Sequence, residues 1–185
     1  MQQLPDIMRQ LLVELGETPD REGLQRTPDR AASAWQTLCG GYGQSVEDVI
    51  TTFDAEEFDE MIVVRDIEFY STCEHHLLPF FGSVTIGYLP ERTIIGLSKL
   101  PRIVEIYARR LQNQERLTMQ IADAIENATG ARGVGVIVSA RHFCMMARGV
   151  QKQAASVETS ALRGRFKNDQ RTRSEFLQLK GGGIG

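Results

Sequence analysis

Apolar residues recur along this chain with two different periods. Residues 4–15 place Leu4, Ile7, Met8, Leu11, Leu12 and Leu15 on one helical stripe, and Gly16 supplies the stop. Thr27-Pro28 reads as N-cap and first residue of a second helix. Its apolar side carries Ala31, Ala34, Trp35 and Leu38 before Gly40-Gly41 ends it. Residues 54–60 are acidic and predict an exposed segment. From Met61 the period changes: residues 61–69 and 81–89 are rich in β-branched and aromatic side chains, the signature of strands. Pro90-Glu91-Arg92 reads as a turn into a short strand over 93–96. Ser98 then predicts the cap of a helix whose stripe is Leu100, Ile103, Val104, Tyr107 and Leu111, with Pro101 in its first turn. A further helix carries Leu117, Ile121, Ala124, Ile125 and Ala128 and closes at Gly130. Residues 133–140 and 154–162 predict two more strands, and the terminal glycines a flexible tail.

The order β-β-α-α-β-β after a helical start predicts an α+β protein with two helices laid on one face of an antiparallel sheet. Three segments follow: a helical extension over 1–60, a main domain over 61–180 and a tail over 181–185. With 185 residues and 20.7 kDa the chain buries roughly 70% of its surface, enough for a core without disulfides. No apolar run reaches the roughly 18 residues of a membrane span, and no basic-then-apolar leader opens the chain. A cytoplasmic protein with no membrane partner is expected. Three cysteines do not make a disulfide framework, which leaves free thiols, metal ligands or nucleophiles.

Charge is distributed unevenly. Residues 1–60 carry 4 basic and 13 acidic side chains, whereas residues 141–185 carry 9 basic and 3 acidic ones. The basic C-terminal part reads either as a solvated face or as the seat of an anionic ligand. A sequence pI near 5.7 argues against nucleic acid as the partner.

The chemistry is concentrated in two short segments. Cys73-Glu74-His75-His76 sits where a connection between two strands is expected, and Arg141-His142-Phe143-Cys144 closes a predicted strand. Cys73 and His76 are spaced so that a single turn directs both at one ion. Two thiolates and an imidazole suit zinc, and three protein ligands leave a fourth position for water. The remaining histidines are then free to move protons. The competing reading is a four-ligand structural site, with His75 or His142 completing it. Cys39, beside Gly40, reads as a small buried hydrophobe. Ser98, Lys99 and Arg102 at a helix start, with Arg148 after the second cluster, form a set able to clamp phosphates, although capping alone accounts for Ser98. Glu115 is either an ordinary first-turn carboxylate or an acceptor for a guanine edge.

The segments Ser71-Thr72-Cys73-Glu74-His75-His76, Gly96-Leu97-Ser98-Lys99, Gln114-Glu115-Arg116-Leu117-Thr118 and His142-Phe143-Cys144 with Ala147-Arg148-Gly149 resemble GTP cyclohydrolase I in order and spacing. The resemblance runs from about Thr27 to Leu177. It implies the tunnelling fold, a homodecamer of two stacked pentamers and active sites at subunit interfaces. It implies conversion of GTP and water to 7,8-dihydroneopterin triphosphate and formate, at the entry to folate and other pterins, through zinc-activated water attacking C8 of guanine. It implies zinc ligands at Cys73, His76 and Cys144, and catalytic histidines at His75 and His142. Glu115 is implied as the guanine anchor, supported by Gln114, with Ser98, Lys99, Arg102 and Arg148 on ribose and triphosphate. Arg30 is implied to reach the triphosphate from a neighbouring subunit; Ser33 stands where the family usually has a second such cation, a lysine. Two other functions fit the same motifs less fully: a noncatalytic nucleotide binder with structural zinc, and a tunnelling-fold enzyme acting on another purine or pterin.

Overall fold

Four long strands carry the molecule. In the computed structural model, which describes residues 3–181, β2 (Ile62–Cys73), β3 (Pro79–Leu89), β6 (Gly133–His142) and β7 (Val157–Gly164) pair antiparallel in that order. Between β3 and β6 come α3 (Lys99–Ala108) and α4 (Gln114–Thr129). This is the β-β-α-α-β-β order expected of the tunnelling fold, and the α+β class holds. Both helices pack on one face of the sheet. Phe69, Val84, Ile86, Val136 and Val138 meet Leu100, Ile103, Val104, Leu117, Ile121 and Ile125 in one buried cluster. Every fully buried leucine-sized side chain there is worth about 1.5–3 kcal/mol of transfer energy, so this layer supplies most of the drive to fold.

The opposite face differs from expectation. Residues 165–181, where no element is expected from the sequence, form α6 (Arg165–Asn168) and α7 (Gln170–Gly181), and Phe166 and Phe176 pack under β3 and β6. Gly87 and Gly135 make that possible. They are directly paired, and a Cβ on Gly87 would lie 2.7 Å from the Phe176 ring, one on Gly135 2.5 Å from the Phe166 ring. Gly181 belongs to the helix, while the rest of the expected tail lies outside the described residues.

Smaller corrections have local causes. β2 and β3 are joined by a bulge between Val64 and Ile67, with Asp66 at φ 57°. Leu111 leaves the α3 stripe because the helix ends at Ala108; it joins β5 (Leu111–Gln112), which adds to the edge of β2 in parallel register, so the sheet is not wholly antiparallel. A strand over Thr52–Asp54, β1, was not legible in its three exposed residues and pairs with β4 (Thr93–Ile95). Ser98 precedes α3 but its side chain makes no cap bond; Asn113 does cap α4, accepting from the Arg116 N–H at 2.8 Å. Gly130 ends α4 in the left-handed region at φ 59°, as a glycine stop requires.

The chain divides after Gly40 into two compact units. The first holds α1 (Leu4–Glu14) and α2 (Thr27–Leu38), which pack on each other. Thr27 is the first residue of α2, with Arg26 in the cap position. Ile7, Leu11 and Leu15 of the α1 stripe stay exposed within this unit.

Candidate active site

Both sequence clusters meet at one end of the sheet. The first six-residue motif is not wholly a connection: Ser71, Thr72 and Cys73 are the last residues of β2. The chain then turns tightly, with the Leu77 N–H donating to Cys73 O and the Cys73 N–H to Leu78 O, both at 2.8 Å. Leu77 takes φ 54°, an uncommon conformation for a residue with a Cβ. Across β3, the strand β6 ends in His142 and continues into a single turn, α5 (Phe143–Met146). That turn brings Cys144 over Cys73. The donor atoms of Cys73, His76 and Cys144 all lie within 4.8 Å of one another.

Cys73 is buried and Cys144 half-buried, while His76 is open to solvent. Burial, and then the neighbouring Cys73 thiol, push the Cys144 thiol up. Two thiolates side by side repel each other, and a divalent cation between them removes that repulsion. With an imidazole added, the set fits a borderline-soft ion such as zinc. Of the three, His76 alone is open to solvent.

Glu74 ties this turn to the start of α4. Its carboxylate accepts from Asn113 Nδ2 at 3.1 Å and from the Arg116 guanidinium, which holds the Glu74 carboxyl below the usual carboxylate range. Its N–H donates to Gln112 O at 2.9 Å. Arg116 in turn donates from Nε to Gln112 Oε1 at 2.9 Å. The turn after β2 and the first turn of α4 are therefore one hydrogen-bonded body.

His75 is exposed, with Nδ1 3.8 Å from Cys73 Sγ and Nε2 3.8 Å from Glu74 Oε1. His142 is held more firmly. Its ring stacks on Phe80 at 4.7 Å and 2°, and its Nε2 lies 2.8 Å from Gln114 Oε1. Burial pushes the His142 ionisation down, with the Glu115 carboxylate working against that. A cavity of about 180 Å³ gathers Cys73, His75, Gln114, Glu115, His142 and Cys144 on its wall. A larger hollow of about 440 Å³, on the opposite face between Glu68, Tyr70, Phe81 and Arg141, contains neither thiol nor histidine.

Comparison with known proteins decides the family. The model of the family described as GTP cyclohydrolase I matches residues 5–181. A GTP cyclohydrolase 1 of Chromohalobacter salexigens is 54% identical over 180 residues, covering 96% of this chain and 97% of the relative. That of Methylococcus capsulatus is 55% identical over 177 residues, covering 95% of each. This chain belongs to the GTP cyclohydrolase I family. It is thus a hydrolase, and its Cys-His-Cys cluster is one that can hold a metal ion.

Among the residues the family resemblance singles out, the structure brings eight together: Cys73, His75, His76, Gln114, Glu115, His142, Cys144 and Arg148. The Arg148 guanidinium lies 3.4 Å from His76 Nε2. Gln114 faces inward; it is 2% exposed, and its amide is bonded to β6, β7 and His142. Ser98, Lys99 and Arg102 lie elsewhere. They open α3 next to β4, whose Ile95 N–H donates to the Tyr88 hydroxyl near the far end of β3. The ten residues of α3 span about 15 Å and run from there toward the site end. Arg30 is exposed on α2, in the first unit. Sequence reading missed Phe80, Thr118, Thr159 and the Glu74–Arg116 pair. Glu74, Arg116 and Thr118 stand inside motifs of the resemblance, but nothing in the sequence pairs Glu74 with a residue 42 positions on, and Phe80 and Thr159 carried no signal.

Proposed function

We propose that this protein converts GTP and water to 7,8-dihydroneopterin triphosphate and formate, with zinc held by Cys73, His76 and Cys144. The observation that carries the reading is the convergence of two thiols, two further titratable imidazoles and the Glu115 carboxylate on one small cavity. When bound, zinc supplies a Lewis acid that makes water a nucleophile at neutral pH. Glu115 accepts hydrogen bonds from the guanine edge and sets the purine so that C8 faces the cluster. His75, solvent-facing, protonates the opening imidazole ring. His142 moves protons during the later ring and ribose rearrangement. Loss of C8 as formate and closure of a pterin ring complete the sequence, and the product enters folate and other pterin synthesis.

The triphosphate needs more cations than one chain brings to the cavity. Arg148 is at hand, whereas Ser98, Lys99 and Arg102 open α3 at the far end of the sheet. This supports a site completed across a subunit interface, in a homodecamer of two stacked pentamers, with Arg30 reaching in from a neighbour. Among the described residues no helix is long and apolar enough to cross a membrane, and a cytoplasmic location is part of the same proposal.

The test is formate and pterin production from GTP by protein of known zinc content, with and without a chelator. Stoichiometric formate that is lost on chelation and regained with zinc is the expected result. GTP binding without formate from zinc-loaded protein would leave a nucleotide-binding homologue instead.

A further inference from the structure

Around Gln114 the partners fix which way the side-chain amide points. Its Nε2 lies 3.0 Å from Val138 O, 2.9 Å from Val157 O and 3.1 Å from Thr159 Oγ1. The two carbonyls can only accept, so this end of the amide must be the NH2. Exchanging the amide's oxygen and nitrogen would set an oxygen against two carbonyl oxygens in a buried place. The hydroxyls complete the circuit. Thr118 Oγ1 donates to Gln114 O at 2.7 Å, which leaves its contact with Thr159 Oγ1, also 2.7 Å, to be donated by Thr159. Thr159 thereby keeps a lone pair for the Gln114 amide. Each hydroxyl proton has one acceptor.

With that orientation settled, the atom 2.8 Å from His142 Nε2 is an oxygen that can only accept. The hydrogen between them must come from the histidine. Ring stacking on Phe80 keeps the imidazole in this plane. No hydrogen bond to Nδ1 occurs among the described residues.

We infer that Gln114 is a positioning residue that fixes the tautomer of His142: the neutral ring carries its hydrogen on Nε2 and presents a bare Nδ1 to a ligand in the cavity. His142 in this form cannot donate to substrate. A ligand group that meets this nitrogen therefore donates to it. Gln114, bonded on both amide atoms, contacts the ring and not the guanine. That the ligand is GTP rests on the reading of the site as a GTP cyclohydrolase; the tautomer does not.

The experiment uses zinc-loaded, full-length protein labelled with ¹⁵N and ¹³C in its histidine rings, studied by solid-state NMR at mildly alkaline pH. The chain has 3 histidines, so each ring is assigned by its loss in the matching His→Gln variant. The expected spectrum shows protonated Nε2 and unprotonated Nδ1 at His142. The reverse tautomer overturns the inference. Gln114→Met, which keeps length and loses the acceptor, is expected to mix the two tautomers. It should lower kcat about 10- to 100-fold, the range of a displaced acid–base group, with the KM for GTP nearly unchanged. A raised KM with kcat intact would instead make Gln114 a substrate contact. Should Gln114→Met not fold, Thr159→Val removes one of the three amide acceptors and is expected to shift the His142 signals the same way to a lesser extent; unchanged signals count against the inference. Because the spectrum is read without GTP, a failure of turnover and a failure of the tautomer are told apart.

Discussion

The two ends of the central sheet solve opposite problems. At the end where Leu89 pairs with Gly133 and Gly133 with Gly164, the strands are covered on both faces, by α3 and α4 above and by Phe166 and Phe176 below. Nearly every residue of β6 from Gly133 to Val138 is buried there, and the strand is short of side chains so that the phenylalanine rings can fit. At the end where Phe80 pairs with His142 and Ala140 with Val157, the lower face is open. The buried space above it is filled with amides and hydroxyls, all but that of Ser71 hydrogen-bonded. One end maximises apolar contact; the other spends buried volume on polar groups whose directions are fixed. Stability and chemistry are thus separated along the same strands, and variants at the two ends should fail in different ways.

The sharpest break is Cys144→Ser, expected to abolish tight zinc binding and to lower formate release from GTP by about 10⁴-fold or more, with the far-UV spectrum retained; metal analysis and the formate assay check both. His142→Ala should follow, lowering turnover about 10²- to 10⁴-fold while zinc content stays at wild-type level. At the other end, Phe176→Ala removes a fully buried ring and is expected to cost about 3–5 kcal/mol in denaturant unfolding, with activity per folded molecule preserved. Gly135→Ala forces a Cβ against Phe166 and should cost about 1–3 kcal/mol by the same measurement. The smallest effect belongs to Ser71, which is 1% exposed and whose hydroxyl has no hydrogen-bond partner among the described residues. Ser71→Ala relieves an unsatisfied group and should leave stability equal or raise it by up to about 1 kcal/mol. A large loss of activity from Phe176→Ala, or of stability alone from His142→Ala, would break the division between the ends.

The two ends were also unequally legible in the sequence. The thiols and histidines were found because their residue types are scarce and their spacings short, which is information that survives in one dimension. The four long strands followed from their β-branched and aromatic content, and the α3 and α4 stripes from period. What was missed depended on partners far apart along the chain. Nothing in Gln114 itself says that its amide faces Val157 and Thr159, and nothing in Glu74 names Arg116. The C-terminal helices were missed for a different reason: α7 is polar almost all round, and only Thr172 and Phe176 are buried, so no stripe marks it. Nothing in the sequence said that Gly87, Gly133 and Gly135 are the room that Phe166 and Phe176 occupy.

The link between α3 and α4 has a consequence for how this protein can change over generations. Connections usually absorb added or lost residues more easily than the elements they join. Here the linking residues are bonded one after another. Arg110 donates to Gly41 O and Ile106 O, the Leu111 N–H donates to the Tyr42 hydroxyl, and Gln112 pairs with Cys73 and donates to Tyr107 O. One residue inserted between Gln112 and Gln114 would turn the helix that follows by about 100° relative to the strand edge. Gln114 would then point where Glu115 does now, and its amide would leave Val138 O and Val157 O. Substitution in this stretch has many outcomes, but a change of length has one, so related proteins should tolerate insertions in the loop between α5 and β7 well before they tolerate any here.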